Sequence, residues 1–428
     1  MTKISVIQLI GKMQDKEIDN GTEYTGFEEA LDLVRSNMQP LTIEELPLIS
    51  CSGLVSAENV KALVSSPTQD SSLKDGFAVI SDDITNASSR NPVILTLRGS
   101  VFAGGQFEGE ILPGETVKVC TGAPVPWGAD AIVAEELCQE EDDNVTFSAG
   151  IAKGKNIMSA GEDVTEGTMI IKRGEIIRPG LLAYAATAGI ARLKVYRRPK
   201  VAIISIGDEL VEPGKDLSPG HIYASNSIYV GAWLSLHNIP FENYTVPDDI
   251  GQIRNLLQKL SPASDVIMTS GGAMHSERDL IVGILDDLDW DMKFRHVRMG
   301  PGKATAFGLW NQIRVFCFSG GPTSSGVAFL QFGLPGVLTM MGHSSKPFME
   351  AQARLTRDIN SRNRIWTEFK EGRIISEANG LFSVTPLAKG SRLRSMAEAD
   401  CLICKPEGVE LLKRGQMVMV QLLRRLPA

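Results

Sequence analysis

Long hydrophobic runs are missing from this chain. No stretch reaches the roughly 18 uninterrupted apolar residues of a membrane span, so no membrane insertion is expected. An excess of positive charge is missing too: 43 Lys and Arg stand against 51 Asp and Glu, a net charge of −8 over 428 residues. Sequence-independent binding to nucleic acid needs a cationic face that displaces counterions, and no nucleic-acid partner is expected. Cysteine is scarce, with six in the chain, and only "CLIC" (Cys401 to Cys404) has the spacing of a metal chelate. It has no second pair and no His nearby, and residues three apart in a strand point to opposite faces. Buried free thiols are expected instead. His221, His237, His296 and His343 are scattered and suggest no metal set. The opening "MTKISVIQLIGKMQDKEIDNG" lacks a small-residue cleavage site, so it is expected to dock rather than direct secretion, and the expected location is cytoplasmic. Low-complexity tracts and fixed-period repeats are also absent.

What is present is the composition of a globular protein, 43% apolar and 22% charged, at a length that predicts about three domains. "TGFEEALDLVRSNM" predicts an amphipathic helix capped by Thr25, with Glu28 three residues on. From Asp75 to Val145 short runs such as "GFAVI", "VILTLRG" and "DAIVAEEL", parted by "LPGE" and "PWGAD", predict a small β module. The basic "YRRPK" before "VAIISIG" marks a boundary. Beyond it strands and helices alternate. "VAIISIG", "SDVIMTSGG" and "RVFCFSGG" read as strands covered on both faces. "SNSIYVGAWLSLHN", "DDIGQIRNLLQKL", "ERDLIVGILDDL" and "TSSGVAFLQFG" read as helices. This series predicts a mostly parallel sheet with helices on both faces. After Ser345, "RIISEANGLFSVTPLA", "DCLICKP" and "GQMVMVQLL" predict a second small β domain.

Two of those strands break into Ser-Gly-Gly just before a helix, at 270–272 and 319–321. Open α/β sheets bind ligands at the carboxyl ends of their strands. Glycines let backbone N–H groups converge on an anion, and a following helix adds partial positive charge. Gly271, Gly272, Gly320 and Gly321, with the hydroxyls of Thr269, Ser270, Ser319, Thr323 and Ser324, would then line one phosphate cradle. The other reading is that Gly-Gly only makes a tight turn, since neither stretch has P-loop or G-x-G-x-x-G spacing. Glu209 ends the first strand, and Glu277 and Asp279 follow the second. Taken singly, Glu277 and Asp279 read as helix caps. Beside a phosphate cradle they suggest Mg²⁺ or a comparable hard cation. Lys303, in "GPGKATAFG", is a candidate point-charge partner for an oxyanion.

Eight stretches carry a resemblance, among them "SSPTQDSSLKDGFAV", "CTGAPVPWGADAIVAEE", "NIMSAGEDVTEGTMIIKRG", "GDELVEPGKDLSPGHIYASN", "TSGG" and "PEGVELLKRGQMVMVQLL". In that order they resemble the molybdopterin molybdenumtransferase family, that of MoeA and the gephyrin E-domain. The resemblance implies a multidomain α/β plus β protein. Residues 1–74 and 150–197 would form a split, extended N-terminal region, and 75–149 an inserted β module. Residues 198–345 would form an α/β domain of the molybdopterin-binding type, and 346–428 a C-terminal β-barrel. It implies insertion of molybdate into adenylylated molybdopterin, with Mg²⁺-assisted hydrolysis and release of AMP. It further implies a homodimer with a shared active site, and a molybdopterin adenylyltransferase as a possible partner. Carried over by position, Asp279, Glu209 and Asp75 are catalytic, with Asp75 offered by the opposite subunit. Glu209, Asp279 and Asp163 hold metal. Thr121, Asn226, Ser276 and Lys303 join the two corners in binding the ligand.

The same site holds the departures from the family pattern. "GGAMHS" places Met274 and His275 where small, hydroxyl-bearing residues are usual. Ala224 replaces an aspartate, Gly300 a lysine, and Gly321 the asparagine of a turn. A lost contact to a desolvated ligand costs about 1–3 kcal/mol. Two alternatives therefore stay open beside a molybdate transferase: a variant acting on tungstate or another pterin, and a paralogue that holds a pterin or nucleotide without turnover. A nucleotidyl transferase is a third.

Overall fold

The computed structural model describes residues 18–19, 22–272, 280–344, 346–377, 380–387 and 392–424. The chain gathers into two compact units. One is built from residues before Glu45 together with those from Tyr196 onward, the other from Glu45–Val195.

The first described helix, α1 (Phe27–Asn37), starts one residue later than its sequence predicts. Gly26 rather than Thr25 is the N-cap, and its N–H donates to Glu29 Oε2 at 3.3 Å, so Glu29 does what Glu28 was expected to do. A one-residue slip of this kind follows from apolar burial, which turns Phe27, Ala30 and Val34 inward and outweighs a cap worth about 1 kcal/mol.

In the unit Glu45–Val195, six strands form one sheet: β1 (Gly76–Val79), β2 (Val93–Val101), β3 (Glu115–Val119), β4 (Ala131–Ala134), β5 (Cys138–Glu141) and β6 (Asn144–Phe147). Their spatial order is β5-β6-β2-β3-β1-β4, with β2 and β3 parallel and the other neighbours antiparallel. Phe77, Val79, Leu95, Val133, Val145 and Phe147 fill the inner face, as period-2 alternation requires. Helix α2 (Pro179–Thr187) begins with a proline, whose fixed φ suits the first turn.

The other unit is built around a second six-stranded sheet. Strands β7 (Val201–Ile206), β8 (Phe241–Val246) and β9 (Val266–Ser270) alternate with α3 (Ser225–Leu236) and α4 (Ile250–Leu260). Asp249 caps α4 by accepting from Gln252 N at 2.7 Å. Then come α5 (Leu280–Asp286), β10 (Asp291–Phe294), β11 (Thr305–Trp310) and β12 (Ile313–Phe318). The order is β8-β7-β9-β12-β11-β10. The first four strands are parallel and the last two antiparallel. The parallel core was expected; the antiparallel pair was not. After β12 the chain stays helical through α6 (Pro322–Ala328), a π turn at Phe329–Gly333 and α7 (Leu334–Met340), well past the predicted end.

The C-terminal strands are β13 (Glu350–Leu355), β14 (Thr367–Ser376), β15 (Phe382–Pro386), β16 (Cys401–Lys405) and β17 (Met417–Leu422), with α8 (Arg392–Glu398) before β16. Pairing runs β14-β15-β13-β17-β16 and returns to β14, so the sheet closes into a five-stranded barrel. Closure leaves these strands without a free edge within the ring. Cys401 is buried and Cys404 half-buried, both free; burial pushes their thiols up to about 12 and about 11.

Candidate functional site

The two Ser-Gly-Gly corners lie side by side, because β9 and β12 are neighbours in register, Ser270 opposite Phe318. Gly271 N donates to Phe318 O at 3.2 Å. Gly271 has φ +99°, and a Cβ there would collide with the carbonyl oxygen of Ile206 on β7. Glycine is therefore required at 271 by the backbone of the adjacent strand. Gly320 is different: the nearest atom to an added Cβ is Gly271 Cα at 3.6 Å, an ordinary contact. Asn226, in the first turn of α3, ties the corners together. Its Nδ2 donates to Ser270 Oγ at 2.7 Å and to Gly320 O at 2.9 Å.

The second corner opens onto a cavity of about 970 Å³. Ser319, Gly320, Gly321, Thr323 and Ser324 form one wall; residues 269–272 are not part of the lining. The barrel supplies the opposite wall. A two-residue strand, Met299–Gly300, pairs with the start of β14, Gly300 opposite Glu368, and so brings Gly300 and Pro301 to the same cavity.

The barrel wall carries charges of both signs, Arg357, Arg362 and Lys370 against Asp358, Glu368 and Glu371. Lys405, only 2% exposed, donates through Nζ to the carbonyls of Trp366 at 2.8 Å, Val409 at 3.0 Å and Asn363 at 3.4 Å. It also lies 3.7 Å from Glu368 Oε1, which accepts from Ser361 Oγ and from the amides of Arg362 and Asn363. This lysine is fully engaged in fixing the 361–366 loop. Glu371 contrasts with it: 8% exposed, it lines the cavity, and its Oε1 has no hydrogen-bond partner among the described residues. The same is true of Ser319 Oγ, whose residue is 5% exposed.

Three family models match in succession: the MoeA N-terminal region (domain I and II) over 25–189, a probable molybdopterin binding domain over 202–339, and the MoeA C-terminal region (domain IV) over 352–423. Molybdopterin molybdenumtransferase 2 of Mycobacterium tuberculosis is 32% identical over 388 residues, covering 89% of this chain and 95% of the relative. The chain belongs to the molybdopterin molybdenumtransferase family. Molybdopterin molybdenumtransferase of Bacillus subtilis is 32% identical over 375 residues, covering 86% of this chain and 87% of its own. Two solved structures of the molybdopterin biosynthesis MoeA protein from Pyrococcus horikoshii superimpose with TM-scores of 0.78 and 0.75. They are 30% and 28% identical, cover 94% and 93% of this chain, and are themselves covered completely. The multidomain architecture with its closed barrel is thus that of a MoeA-like protein.

Within this MoeA-like frame, the residues singled out from sequence fall into separate groups. Thr269 and Ser270 are buried at the end of β9; Thr269 Oγ1 has no partner among the described residues. Glu209 is exposed just beyond β7, and its carbonyl accepts from Ile222 N. Lys303 is exposed, its carbonyl accepts from Val297 N, and it does not line the cavity. Ala224 caps α3 without a side-chain bond. Asp279 and Ser276, with Met274, His275 and Glu277, lie outside the described residues.

Asp75, Thr121 and Asp163 belong to the unit Glu45–Val195. Asp75 Oδ1 accepts from Thr121 N at 2.6 Å and from Thr121 Oγ1 at 2.9 Å. The Thr121 amide first, and its hydroxyl second, hold the Asp75 carboxyl below its usual range. Asp163 is exposed, and its N–H donates to Ser66 O at 3.1 Å.

Among the described residues no three His, Cys, Asp or Glu side chains cluster as a metal centre, and no helix is long and apolar enough to cross a membrane. An exposed Glu209 next to Asp208 still suits Mg²⁺, which uses one or two carboxylates and completes its shell with phosphate oxygens and water. Glu371 went unnoticed in the sequence, though the alternation Thr367, Phe369, Glu371 places a carboxylate on the buried outer face of β14, opposite the barrel interior that Gly372 faces.

Proposed function

We propose that this chain inserts molybdate into the dithiolene of adenylylated molybdopterin, with hydrolysis of the phosphoanhydride and release of AMP. One observation carries the proposal: in a chain of this family, a cavity of about 970 Å³ has the Ser319–Ser324 corner on one wall and charges of both signs on the other. Pockets of this size suit small molecules. The corner's hydroxyls and amides would hold a phosphate, with Asn226 fixing the corner's shape. Glu209 and Asp279 would hold Mg²⁺, which when bound offsets charge on the phosphoanhydride. Asp75, kept ionised by Thr121, would act from the partner copy of a homodimer, and Lys303 would approach the oxyanion as a mobile cation. A molybdopterin adenylyltransferase would supply the substrate, and the cytoplasm is the proposed location.

Gly300 presents no side chain to the cavity and Glu371 adds a buried carboxyl group to its lining. These favour a second reading, a holder of the pterin nucleotide without turnover. Incubating the full chain with adenylylated molybdopterin, molybdate and Mg²⁺ decides between them. The transferase releases AMP, and Asp279→Asn slows release by about 100-fold or more. Tight binding without AMP release in either protein leaves the holder.

A further inference from the structure

The cavity has its walls on two separately built parts, the helical run that leaves the second corner and the closed barrel. Its width therefore depends on what ties one to the other. Apolar contacts such as Phe27 against Phe332 and Phe369 hold the parts together, but hydrophobic attraction is non-directional and fixes no register. A buried polar tie does. Gln331 Nε2 donates to Gln421 Oε1 at 2.8 Å, and Gln421 Nε2 donates back to Gln331 Oε1 at 3.4 Å. Gln331 is buried and Gln421 half-buried. Gln331 sits in the middle of the π turn, where Leu334 N donates to Phe329 O. Widened turns of this kind recur at functional sites.

Both ends of this tie lead to the cavity. From Ser324, on one wall, the helical run rises about 10 Å to Gln331. On the barrel, Gln421 stands in register with Leu402, and Leu402 with Glu371, which belongs to the opposite wall. Two strand spacings again make about 10 Å. Resting on the cavity as the ligand site of the function proposed above, we infer that the reciprocal Gln331–Gln421 amide pair sets the separation of the two walls. Two side chains that each donate and accept meet in one register only, the best-attested use of a buried polar pair. Gln331 and Gln421 are thus positioning residues, acting through the corner and the barrel wall and not on the ligand itself.

The test replaces both glutamines in the full chain by methionine, which has nearly the same length and shape. Removing both partners of a buried hydrogen-bonded pair costs little stability, so Gln331→Met/Gln421→Met is expected to melt within about 3 °C of wild type. Hydrogen exchange of the amides in 319–324 and 361–370 is nevertheless expected to quicken by about 10-fold, because both bonds that resist local opening are gone. AMP, followed by calorimetric titration, is expected to bind about 10-fold more weakly. Gln421→Met alone, at the half-buried partner, should quicken exchange in the same two segments. Wild-type exchange in both variants overturns the inference, whatever happens to AMP. Exchange that rises evenly over the whole chain, with a fall in melting temperature, does the same by making the pair a general support. If wild type binds no AMP, the function proposed above loses its ligand while exchange still decides the tie. Exchange that quickens in the two segments with AMP affinity unchanged overturns the positioning role.

Discussion

Ser270-Gly271-Gly272 and Ser319-Gly320-Gly321 are the same tripeptide at the ends of neighbouring strands, yet different forces act on them. At the first, the carbonyl of Ile206 and a positive φ exclude any side chain from 271. At the second, the backbone is uncrowded and faces a cavity. A repeated motif can thus hold a structural necessity in one copy and an opening for ligand in the other, and only the adjacent strand tells them apart.

The widest gap should come from alanine. Gly271→Ala is expected to destabilise by about 3 kcal/mol or more, combining strain at positive φ with a backbone collision, while Gly320→Ala should stay within about 1 kcal/mol. Urea unfolding midpoints at unchanged slope measure both, and equal losses would break the comparison.

Acid probes the far ends of α3, whose first turn carries Asn226, and of the helical run that leaves the second corner. His237 follows α3 and His343 follows α7. Burial lowers His237; burial first, and the charge of His237 second, take His343 down to about 4. The unfolded chain protonates near the ordinary value of about 6.5, so it takes up protons before the folded chain does. Stability is then complete above about pH 6.5 and falls by on the order of 2 kcal/mol as pH drops toward 4. His343→Gln should flatten that part of the stability–pH curve.

Asn226→Ala sharpens the comparison by cutting the link between the corners. Losing the bonds to Ser270 and Gly320 should cost about 1–2 kcal/mol, and phosphate-bearing ligands should bind more weakly with it, as read by calorimetric titration. The smallest effect is expected at Asp75. Thr121→Ala removes the hydroxyl donor but keeps the amide, the larger influence. The Asp75 carboxyl should therefore move only part of the way back to its usual range, as read by NMR titration, with the unfolding midpoint unchanged.

The parallel core, the corners and the terminal β domain were legible because each rests on local pattern: continuous apolar strands, Ser-Gly-Gly, short runs between turns. The antiparallel pair β10 and β11 was not. Thr305–Trp310 begins inside "GPGKATAFG", where the Pro-Gly turn and Lys303 drew the reading toward an anion loop. Barrel closure depends on β14 meeting β16, a pairing across more than thirty residues that no local spacing encodes. Lys303 was read as a candidate cation for an oxyanion; the cavity lining does not include it and carries Arg357, Arg362, Lys370 and Lys405, all on barrel segments. Glu371 was missed because the β run was read from Arg373 onward, two residues past it.

Lys405 has a consequence beyond local stability. Its ammonium gathers three carbonyls as a bound potassium ion would, yet it is attached to the chain and cannot diffuse away. The loop it organises, and with it one rim of the cavity, should therefore keep its shape whatever the salt composition of the surroundings. Only chemistry on the amine itself, such as acylation, would release it.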